Sequence, residues 1–161
     1  MAKGMIFKFH NDLDTDQIIA SQYLLLPNLE EMKEHTFESL DPDFPKKVKP
    51  GDFVVGGENF GCGSSREQAP EIIKALGIQC VIAKSFARIF FRNSINNGLL
   101  LIEQPTLYDD IKEGDTVSVV MNEHIDYNGK EYPIASLPEN LMDIIRAGGL
   151  VKAMRKLNGL D

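Results

Sequence analysis

One loop, rich in glycine, serine and charged residues, carries the side chains best suited to chemistry. Residues 56–67 read Gly-Gly-Glu-Asn-Phe-Gly-Cys-Gly-Ser-Ser-Arg-Glu. The glycines permit positive φ angles and a close approach of the backbone to a ligand. Ser64 and Ser65 stand where a following helix needs its N-cap, and each forms a capping-box pattern with the residue three positions later. Free backbone N–H groups, a helix dipole and the Arg66 guanidinium would together predict an anion-binding or catalytic site.

The common nucleotide-binding motifs do not explain this loop. Gly61-x-Gly63 is followed by Arg66 where a dinucleotide-binding fingerprint has its third glycine, and the sequence contains no Gly-Lys-Ser or Gly-Lys-Thr P-loop. The alternative is purely structural: the serines only cap a helix, and Arg66 is a solvated residue of its first turn.

The other polar residues do not have the spacing of a metal site. Asp12, Asp14 and Asp16 alternate as in a calcium loop, but the glycine and the distant glutamate of an EF-hand are missing, which favours a turn or a network that orients the site. The three histidines lack the His-x-x-x-His spacing of a zinc site. Cys62 and Cys80 are too few for a four-cysteine zinc site or a complete iron–sulfur ligand set. Any such cluster must be bound by another chain.

Length and composition predict one soluble globular domain. The chain has 161 residues, of which 43% are hydrophobic, enough to bury a core. Its formal net charge of -7 lacks the basic footprint of a nucleic-acid-binding protein, so no nucleic-acid partner is expected. The scarcity of cysteine, and an N-terminus without the apolar region of a signal peptide or membrane span, predict a reducing, cytoplasmic setting and no membrane partner.

The order of predicted elements indicates an α/β fold with a mainly parallel sheet flanked by helices. Apolar residues recur at i, i+3, i+4 and i+7 from Ala69, as in a helix, and Gly77 is placed to end it. A strand–helix–strand–helix–strand order predicts parallel pairing with right-handed crossovers. Asn128-Gly129 predicts a hairpin, and so a small antiparallel addition. The predicted strands are Met5–Phe9, Asp52–Gly56, Cys80–Ala83, Leu99–Ile102, Thr116–Met121, Ile125–Tyr127 and Lys130–Tyr132; the predicted helices are Asn28–His35, one from the serines to Gly77, Ser85–Asn97, Pro138–Ala147 and Leu150–Leu157.

Two polar stretches are predicted to lie outside regular elements. His10–Gln22 is rich in aspartate and reads as a loop. Thr36–Pro50 is rich in aspartate and proline, and a mobile loop covering about residues 23–50 is expected to fold over the site.

Four stretches of sequence resemble one known family. Gly61–Glu67 resembles the Gly-Ser-Ser-Arg-Glu motif of the aconitase swivel domain, and Asp12–Ile18 resembles the N-terminal motif of the small subunits of isopropylmalate isomerases. Ser85–Ser94 and Asn97–Leu100 are similar to the next block of that family, so the resemblance runs in order through nearly the whole chain. It implies that residues 1–161 form a single aconitase-type swivel domain with a swivelling β/β/α fold.

The resemblance also implies roles in a hydro-lyase. Ser64 would be the base that removes the Cα proton, Ser65 would help to hold the substrate or an oxyanion, and Arg66 would bind a substrate carboxylate. A [4Fe–4S] cluster with an open iron, acting as a Lewis acid on the departing hydroxyl, is implied on a large partner subunit, so this chain itself needs no cofactor. The residues expected to support the site are Asp14, Thr15, Asp16, Gly61, Cys62 and Gly63, with Cys62 as a small neutral side chain.

By the same resemblance, substrate choice lies in the loop that contains Tyr23–Leu26. Relatives that act on tricarboxylates have an arginine in this loop, whereas Leu25 and Leu26 offer an apolar wall to the substrate. A third carboxylate left unpaired in a closed site would cost roughly several kcal/mol. The resemblance therefore implies the small subunit of an isopropylmalate isomerase, which interconverts 2-isopropylmalate and 3-isopropylmalate, both small dicarboxylates, by dehydration and rehydration in leucine biosynthesis.

Other functions remain open at this point. The chain could be the small subunit of homoaconitase or of a methylmalate- or citraconate-type dehydratase, although the two leucines argue against a tricarboxylate. A non-catalytic carboxylate-binding module would keep the anion site and lack a catalytic partner.

Overall fold

The computed structural model describes residues 2–159 of the chain. The strands in this range are β1 (Ala2–Lys8), β2 (Phe53–Gly56), β3 (Cys80–Ala83), β4 (Leu100–Glu103), β5 (Thr116–Val120), β6 (His124–Tyr127) and β7 (Lys130–Pro133). They form one sheet in the order β4-β3-β2-β1-β5-β6-β7. Strands β1 to β4 pair in parallel, and β5 to β7 continue the sheet antiparallel from the other edge of β1. The predicted α/β fold with a parallel sheet and an antiparallel addition is confirmed.

Eight α-helices and two 3₁₀ helices accompany these strands within residues 2–159. The longest is nine residues, and none is long and apolar enough to cross a membrane in this part of the chain. The α-helices are α1 (Thr15–Ile18), α2 (Leu29–Met32), α3 (Phe44–Lys47), α4 (Gln68–Ala75), α5 (Arg88–Asn96), α6 (Leu107–Asp110), α7 (Glu139–Ala147) and α8 (Leu150–Leu157); the 3₁₀ helices are Ser21–Leu25 and Lys33–His35.

Strands β2 and β3, in the middle of the parallel part, are buried on both faces, which explains why they read as unbroken apolar runs. Val54 and Val81 pack into one hydrophobic cluster, together with Ala69 and Ile73 of α4 and Phe90 of α5. Side chains of the opposite face pack into a second cluster with residues of the antiparallel strands: Phe53, Val55, Cys80, Ile82, Val117, Val119, Ile125 and Tyr132. The antiparallel strands and Leu107 of α6 therefore pack on the second face of the parallel strands.

The hairpin between β6 and β7 forms as predicted. Asn128 and Gly129 have φ angles of 50° and 78°. A two-residue turn with positive φ at both positions matches the right-handed twist of the strands that it joins. The local sequence was therefore sufficient to place this turn.

The predicted capping boxes at the serines are wrong. Helix α4 begins at Gln68 after Glu67, and its start has no side-chain cap. Pro70 supplies the physical reason, because proline fits the first turn of a helix but removes a backbone hydrogen bond further in. A helix capped by Ser64 or Ser65 would place Pro70 beyond that first turn.

The helix predicted at Ser85–Asn97 begins three residues later, at Arg88. The preceding residues are held against the glycine-rich loop, since the Phe60 N–H donates to the Ser85 carbonyl and the Ala87 N–H donates to the Phe60 carbonyl, both at 3.0 Å. This pairing is long-range, so helical periodicity alone could not reveal it.

The predicted loop His10–Gln22 contains helix α1, which the sequence prediction missed. Asp14 caps α1 by accepting from the Asp16 N–H at 2.7 Å, and the Gln17 side chain accepts from the Asp14 N–H at 2.9 Å. This reciprocal pattern is a capping box with aspartate at the N-cap, and its spacing was visible in the sequence.

The segment of residues 23–50 contains the end of the 3₁₀ helix Ser21–Leu25, α2, the 3₁₀ helix Lys33–His35 and α3. Phe37 and Phe44 lie in this segment, are fully buried, and pack edge to face with ring centroids 4.9 Å apart. They attach the segment to the main core. The mobility of this segment and its closure over a substrate stay predictions.

Candidate active site

The candidate site lies where three parallel strands end. The chain leaves β1, β2 and β3 at the same edge of the sheet, because these strands run parallel and are neighbours. The segments that follow them contain the Asp12–Asp16 stretch, the glycine-rich loop and the start of α5. In open α/β sheets, ligands bind in the crevice outside the carboxyl ends of the strands. The fold thus brings together segments that are far apart in sequence.

Backbone hydrogen bonds join the aspartate-rich stretch to the glycine-rich loop. The Gly61 N–H donates to the Leu13 carbonyl, and the Thr15 N–H donates to the Cys62 carbonyl, both at 2.8 Å. The buried Thr15 hydroxyl donates to the Ser64 carbonyl at 2.7 Å. These contacts fix the backbone on which Ser64 is carried, as expected of residues that support the site.

Gly63 allows the glycine-rich loop to pass close to Asp14. Its φ is +91°, and a Cβ built on it would lie 2.5 Å from a carboxylate oxygen of Asp14. Both the backbone conformation and the available space therefore require glycine at this position.

We predict that Gly63→Ala destabilises the protein more than Gly114→Ala does. Both glycines have a φ of +91°, but a Cβ at Gly114 meets no atom within 4 Å. The left-handed conformation alone costs about 1–2 kcal/mol for a residue with a Cβ. The collision with Asp14 adds to this cost only at Gly63. Urea unfolding of both variants measures the difference, and equal losses in the free energy of unfolding would contradict the proposed role of this close contact.

Arg66 is held in place rather than solvated. Its side chain is 14% exposed, and Nη1 donates to Asp16 Oδ1 at 3.0 Å and to the Ile19 carbonyl at 2.8 Å. A guanidinium has five N–H donors. The donors on Nε and Nη2 make no hydrogen bond to other residues within 2–159. Arg66 therefore has a fixed orientation and retains donors for a carboxylate ligand.

Ser64 and Ser65 are exposed beside Arg66. Neither hydroxyl makes a hydrogen bond to another residue of the described range, 2–159. Both serines border a cavity of about 210 Å³. Its other lining residues are Thr15, Gly61, Gly63, Arg66, Ala87, Arg88, Ile89, Phe90 and Asn93. The serines and Arg66 thus converge on one concave site with free polar groups.

A different helix from the one predicted borders this cavity. The sequence indicated that the helix after the serines would direct its N-terminus towards the anion, but it is the first turn of α5 that lines the cavity. Ala87 precedes α5 and provides no side-chain cap. Helix starts leave backbone N–H groups unsatisfied and carry a partial positive charge. The helix start that could contribute a positive field at this cavity is therefore that of α5, not the one predicted after the serines.

Sequence reasoning missed Arg88 and Asn93 as residues of the site. Both line the cavity with the two serines. Arg88 is exposed and makes no ion pair within residues 2–159. The sequence did contain a signal for Arg88. This residue follows Cys80–Ala83, a strand that is predicted to pair with Asp52–Gly56, and Asp52–Gly56 leads into the glycine-rich loop. Parallel neighbours bring their carboxyl ends together.

Leu25 and Leu26 do not line the cavity. Leu25 is 89% exposed at the end of the 3₁₀ helix Ser21–Leu25. The start of this helix is nevertheless connected to the site, because Asp16 Oδ1 accepts from both Arg66 and the Ser21 N–H, the latter at 3.3 Å. Asp16 thus links Arg66, the predicted carboxylate ligand, to the loop that contains Tyr23–Leu26, which we call the specificity loop.

Cys62 is half-buried, and its thiol donates to the Asp12 carbonyl at 3.4 Å. Burial, with the nearby carboxylates of Asp14 and Asp12, raises the pKa of the Cys62 thiol. Cys80 is 1% exposed in the core, and burial raises the pKa of its thiol strongly. The two sulfurs do not fit the ligand set of an iron–sulfur cluster, because one thiol is enclosed in the core and the other is held neutral.

We predict that both thiols of the folded protein resist alkylation. Only the thiolate reacts with iodoacetamide, so a raised pKa slows the reaction of Cys62 and burial blocks that of Cys80. Mass spectrometry after treatment at pH 8 should show slow single labelling at Cys62, and labelling of both cysteines at equal rates in urea. Rapid labelling of Cys62 in the folded chain would contradict the neutral-thiol assignment.

Comparison with known proteins agrees with the fold and the site described above. Residues 8–107 match the aconitase C-terminal domain family, and the chain belongs to this family. The family resemblance seen in the sequence is confirmed.

Individual relatives narrow the class further. The 3-isopropylmalate dehydratase small subunit of Lachnospira eligens is 65% identical, with 98% of this chain and 96% of the relative aligned. The isopropylmalate/citramalate isomerase small subunit of Methanocaldococcus jannaschii is 49% identical, with 96% of this chain and 94% of the relative aligned. A crystal structure of 3-isopropylmalate dehydratase from Methanocaldococcus jannaschii superimposes with a TM-score of 0.91 at 47% identity, covering 97% of this chain and 94% of that chain.

Proposed function

We propose that this chain is the small subunit of a 3-isopropylmalate dehydratase, a hydro-lyase that interconverts 2-isopropylmalate and 3-isopropylmalate in leucine biosynthesis. The observation that carries the proposal is the convergence of Ser64, Ser65 and Arg66 on one cavity, with both hydroxyls free and the guanidinium fixed. The names of relatives that align over nearly the full chain support the choice of reaction.

In the proposed mechanism, Ser64 takes the proton from the carbon next to the one that bears the hydroxyl. The electron pair of that C–H bond becomes the double bond of the unsaturated intermediate, and the hydroxyl departs as hydroxide. Water then adds to the double bond with its hydroxyl on the carbon that lost the proton and its hydrogen on the carbon that lost the hydroxyl, which completes the isomerisation. A serine acts as a base only in an alkoxide-like state, which needs a positive field. The uncapped start of α5 and the guanidinium of Arg66 lie at the cavity and supply that field.

The carboxylates of the substrate are assigned to the cationic and polar side chains of the cavity. Arg66 is the first carboxylate ligand, because its orientation is fixed by Asp16 and the Ile19 carbonyl. Ser65 holds a substrate oxygen beside it. Leu25 and Leu26 would present an apolar wall to the branched alkyl group when the specificity loop meets the substrate.

The partner is proposed to be a large subunit that binds the [4Fe–4S] cluster. The two cysteines of this chain do not fit such a cluster, so the cluster ligands belong to the partner. The active site would then lie between the two subunits, and this chain alone would be inactive. We place the enzyme in the cytoplasm, away from membranes and nucleic acid, in keeping with its reduced cysteines and its net charge of -7.

A methylmalate-type substrate is a second candidate within the same chemistry. The relative from Methanocaldococcus jannaschii is named an isopropylmalate/citramalate isomerase small subunit. An apolar wall that accepts an isopropyl group also accepts a methyl group, although the smaller group buries less apolar surface. A tricarboxylate is disfavoured, since the Tyr23–Leu26 stretch has no cationic side chain.

An anaerobic activity assay tests the proposal. The purified chain is mixed with its cognate large subunit, and the absorbance of the unsaturated intermediate is followed with isopropylmalate, citramalate and homocitrate as parallel substrates. Activity that requires both chains and is highest on isopropylmalate is the expected result. Preference for homocitrate would overturn the substrate assignment, and binding without turnover would indicate a carboxylate-binding module.

A further inference from the structure

Two hydrogen bonds and one ring stack connect Tyr23 of the specificity loop to His35 and Glu38, which follow it in the chain. The Tyr23 hydroxyl donates to Glu38 Oε1, and His35 Nδ1 lies 2.5 Å from Glu38 Oε2. The Tyr23 ring stacks on the His35 ring, with centroids 3.8 Å apart and planes 6° from parallel. Each residue therefore contacts the other two. We call Tyr23, His35 and Glu38 the loop clamp.

The protonation states within the loop clamp follow from these contacts. The hydrogen bonds from Tyr23 and His35 lower the pKa of the Glu38 carboxyl, which stays ionised at neutral pH. An ionised carboxylate only accepts hydrogen bonds, so His35 must donate from Nδ1. The hydrogen bond to Glu38 also raises the pKa of the Tyr23 hydroxyl, which keeps its proton. Both bonds are thus charge-assisted, the stronger class of hydrogen bond.

The 3₁₀ helix Ser21–Leu25 needs such an anchor. It buries no residue and has no side-chain cap at its start. Leu25 is almost fully exposed, so it adds little packing. Tyr23, Leu24 and Leu26 pack against the small cluster of Ile19, Met32 and Ile72 but stay only partly buried. Asp16 fixes the first residue through the Ser21 N–H, and Tyr23 is the next point at which polar contacts fix the segment.

We propose that the loop clamp is a positioning device that sets the place of Leu25 and Leu26 and thereby the preference for a branched alkyl group. This inference rests on the proposed function and extends it to residues outside the cavity. Tyr23, His35 and Glu38 do not touch the reacting atoms in this role. They act through the backbone, since the Leu26 N–H donates to the Tyr23 carbonyl at 3.1 Å.

The first test needs only the purified full chain. Tyr23→Phe removes the hydroxyl and keeps the ring, while Glu38→Gln keeps the shape and removes the charge. Glu34→Gln is the matched control, because Glu34 is exposed in the neighbouring 3₁₀ helix and makes no contact of this kind within residues 2–159. Hydrogen–deuterium exchange of peptides covering residues 20–27 should become about tenfold faster in both clamp variants, a size expected for a lost charge-assisted hydrogen bond. The Glu34→Gln chain should exchange like the wild type.

The second test measures selectivity in the assembled enzyme. The ratio of kcat/KM for isopropylmalate to that for citramalate should fall about tenfold in each clamp variant, mainly through KM for isopropylmalate, and the double variant should lose no more than either single one. A merely structural role would lower kcat/KM for both substrates by the same factor and leave their ratio unchanged. Unchanged exchange, or faster exchange with an unchanged ratio, would overturn the inference. If the wild-type assembly turns over neither isopropylmalate nor citramalate, the proposed function fails. The exchange experiment alone then decides whether the loop clamp positions the specificity loop.

Discussion

Ser64→Ala is expected to abolish turnover by the assembled enzyme while leaving assembly and substrate binding intact. A positioned proton-transfer group contributes about 10²–10⁴-fold to a rate, so kcat should fall by at least about that factor. The free energy of unfolding should not change, because the Ser64 hydroxyl makes no hydrogen bond to another residue within 2–159. Steady-state kinetics of the reconstituted enzyme, with urea unfolding of the isolated variant, measure both quantities.

Ser118→Ala is the matched control for this experiment. Ser118 lies on β5 in the antiparallel part of the sheet, and its hydroxyl also makes no hydrogen bond in the described part of the chain. It should have wild-type activity. A Ser64→Ala enzyme with wild-type kcat would remove Ser64 from the mechanism, and the proposed base would have to be sought on the partner.

Arg66→Lys is expected to raise KM strongly. Lysine keeps the charge but lacks the planar set of donors that lets Arg66 bind Asp16 and the Ile19 carbonyl and still face a carboxylate. Loss of one hydrogen bond made by a charged group costs roughly 1.5–3 kcal/mol, so kcat/KM should fall by at least about tenfold. Kinetics on isopropylmalate with the reconstituted enzyme measure this loss.

The same substitution at an exposed arginine serves as a comparison. Arg146 is 57% exposed and pairs with Glu139 on the surface of α7, so Arg146→Lys should leave KM unchanged. An Arg66→Lys enzyme with normal KM but lower stability would show that Arg66 only ties the glycine-rich loop to Asp16 and Ile19. Urea unfolding of the same variant distinguishes the two roles.

Several elements of the fold were predictable because their signals are local. The apolar run at Cys80–Ala83, the helical spacing from Ala69 and the Asn128-Gly129 turn each identify an element from a few adjacent residues. The start of α4 was predicted wrongly, although Pro70 was present to limit it. In this helix the steric limit set by proline outweighs the capping pattern of the serines.

The geometry of the site was less predictable, because it depends on long-range contacts. The residue types of Ser64, Ser65 and Arg66 indicated an anion site, but the partner that fixes the Arg66 guanidinium is in part the backbone carbonyl of Ile19. A backbone carbonyl has no sequence signature. Arg88 lines the cavity because β3 lies beside β2; the predicted pairing placed the strand, but it did not show which residues after the strand border the site.

The exposure of Leu25 has a consequence for how such enzymes diversify. Because 89% of this side chain is in solvent, replacing it costs almost nothing in folding. A gene copy can therefore accept a new residue at this position without first acquiring stabilising mutations elsewhere. Under the proposed role of Leu25, selection for a new substrate would act on this exposed position, while His35, Glu38 and the serines stay under separate constraint.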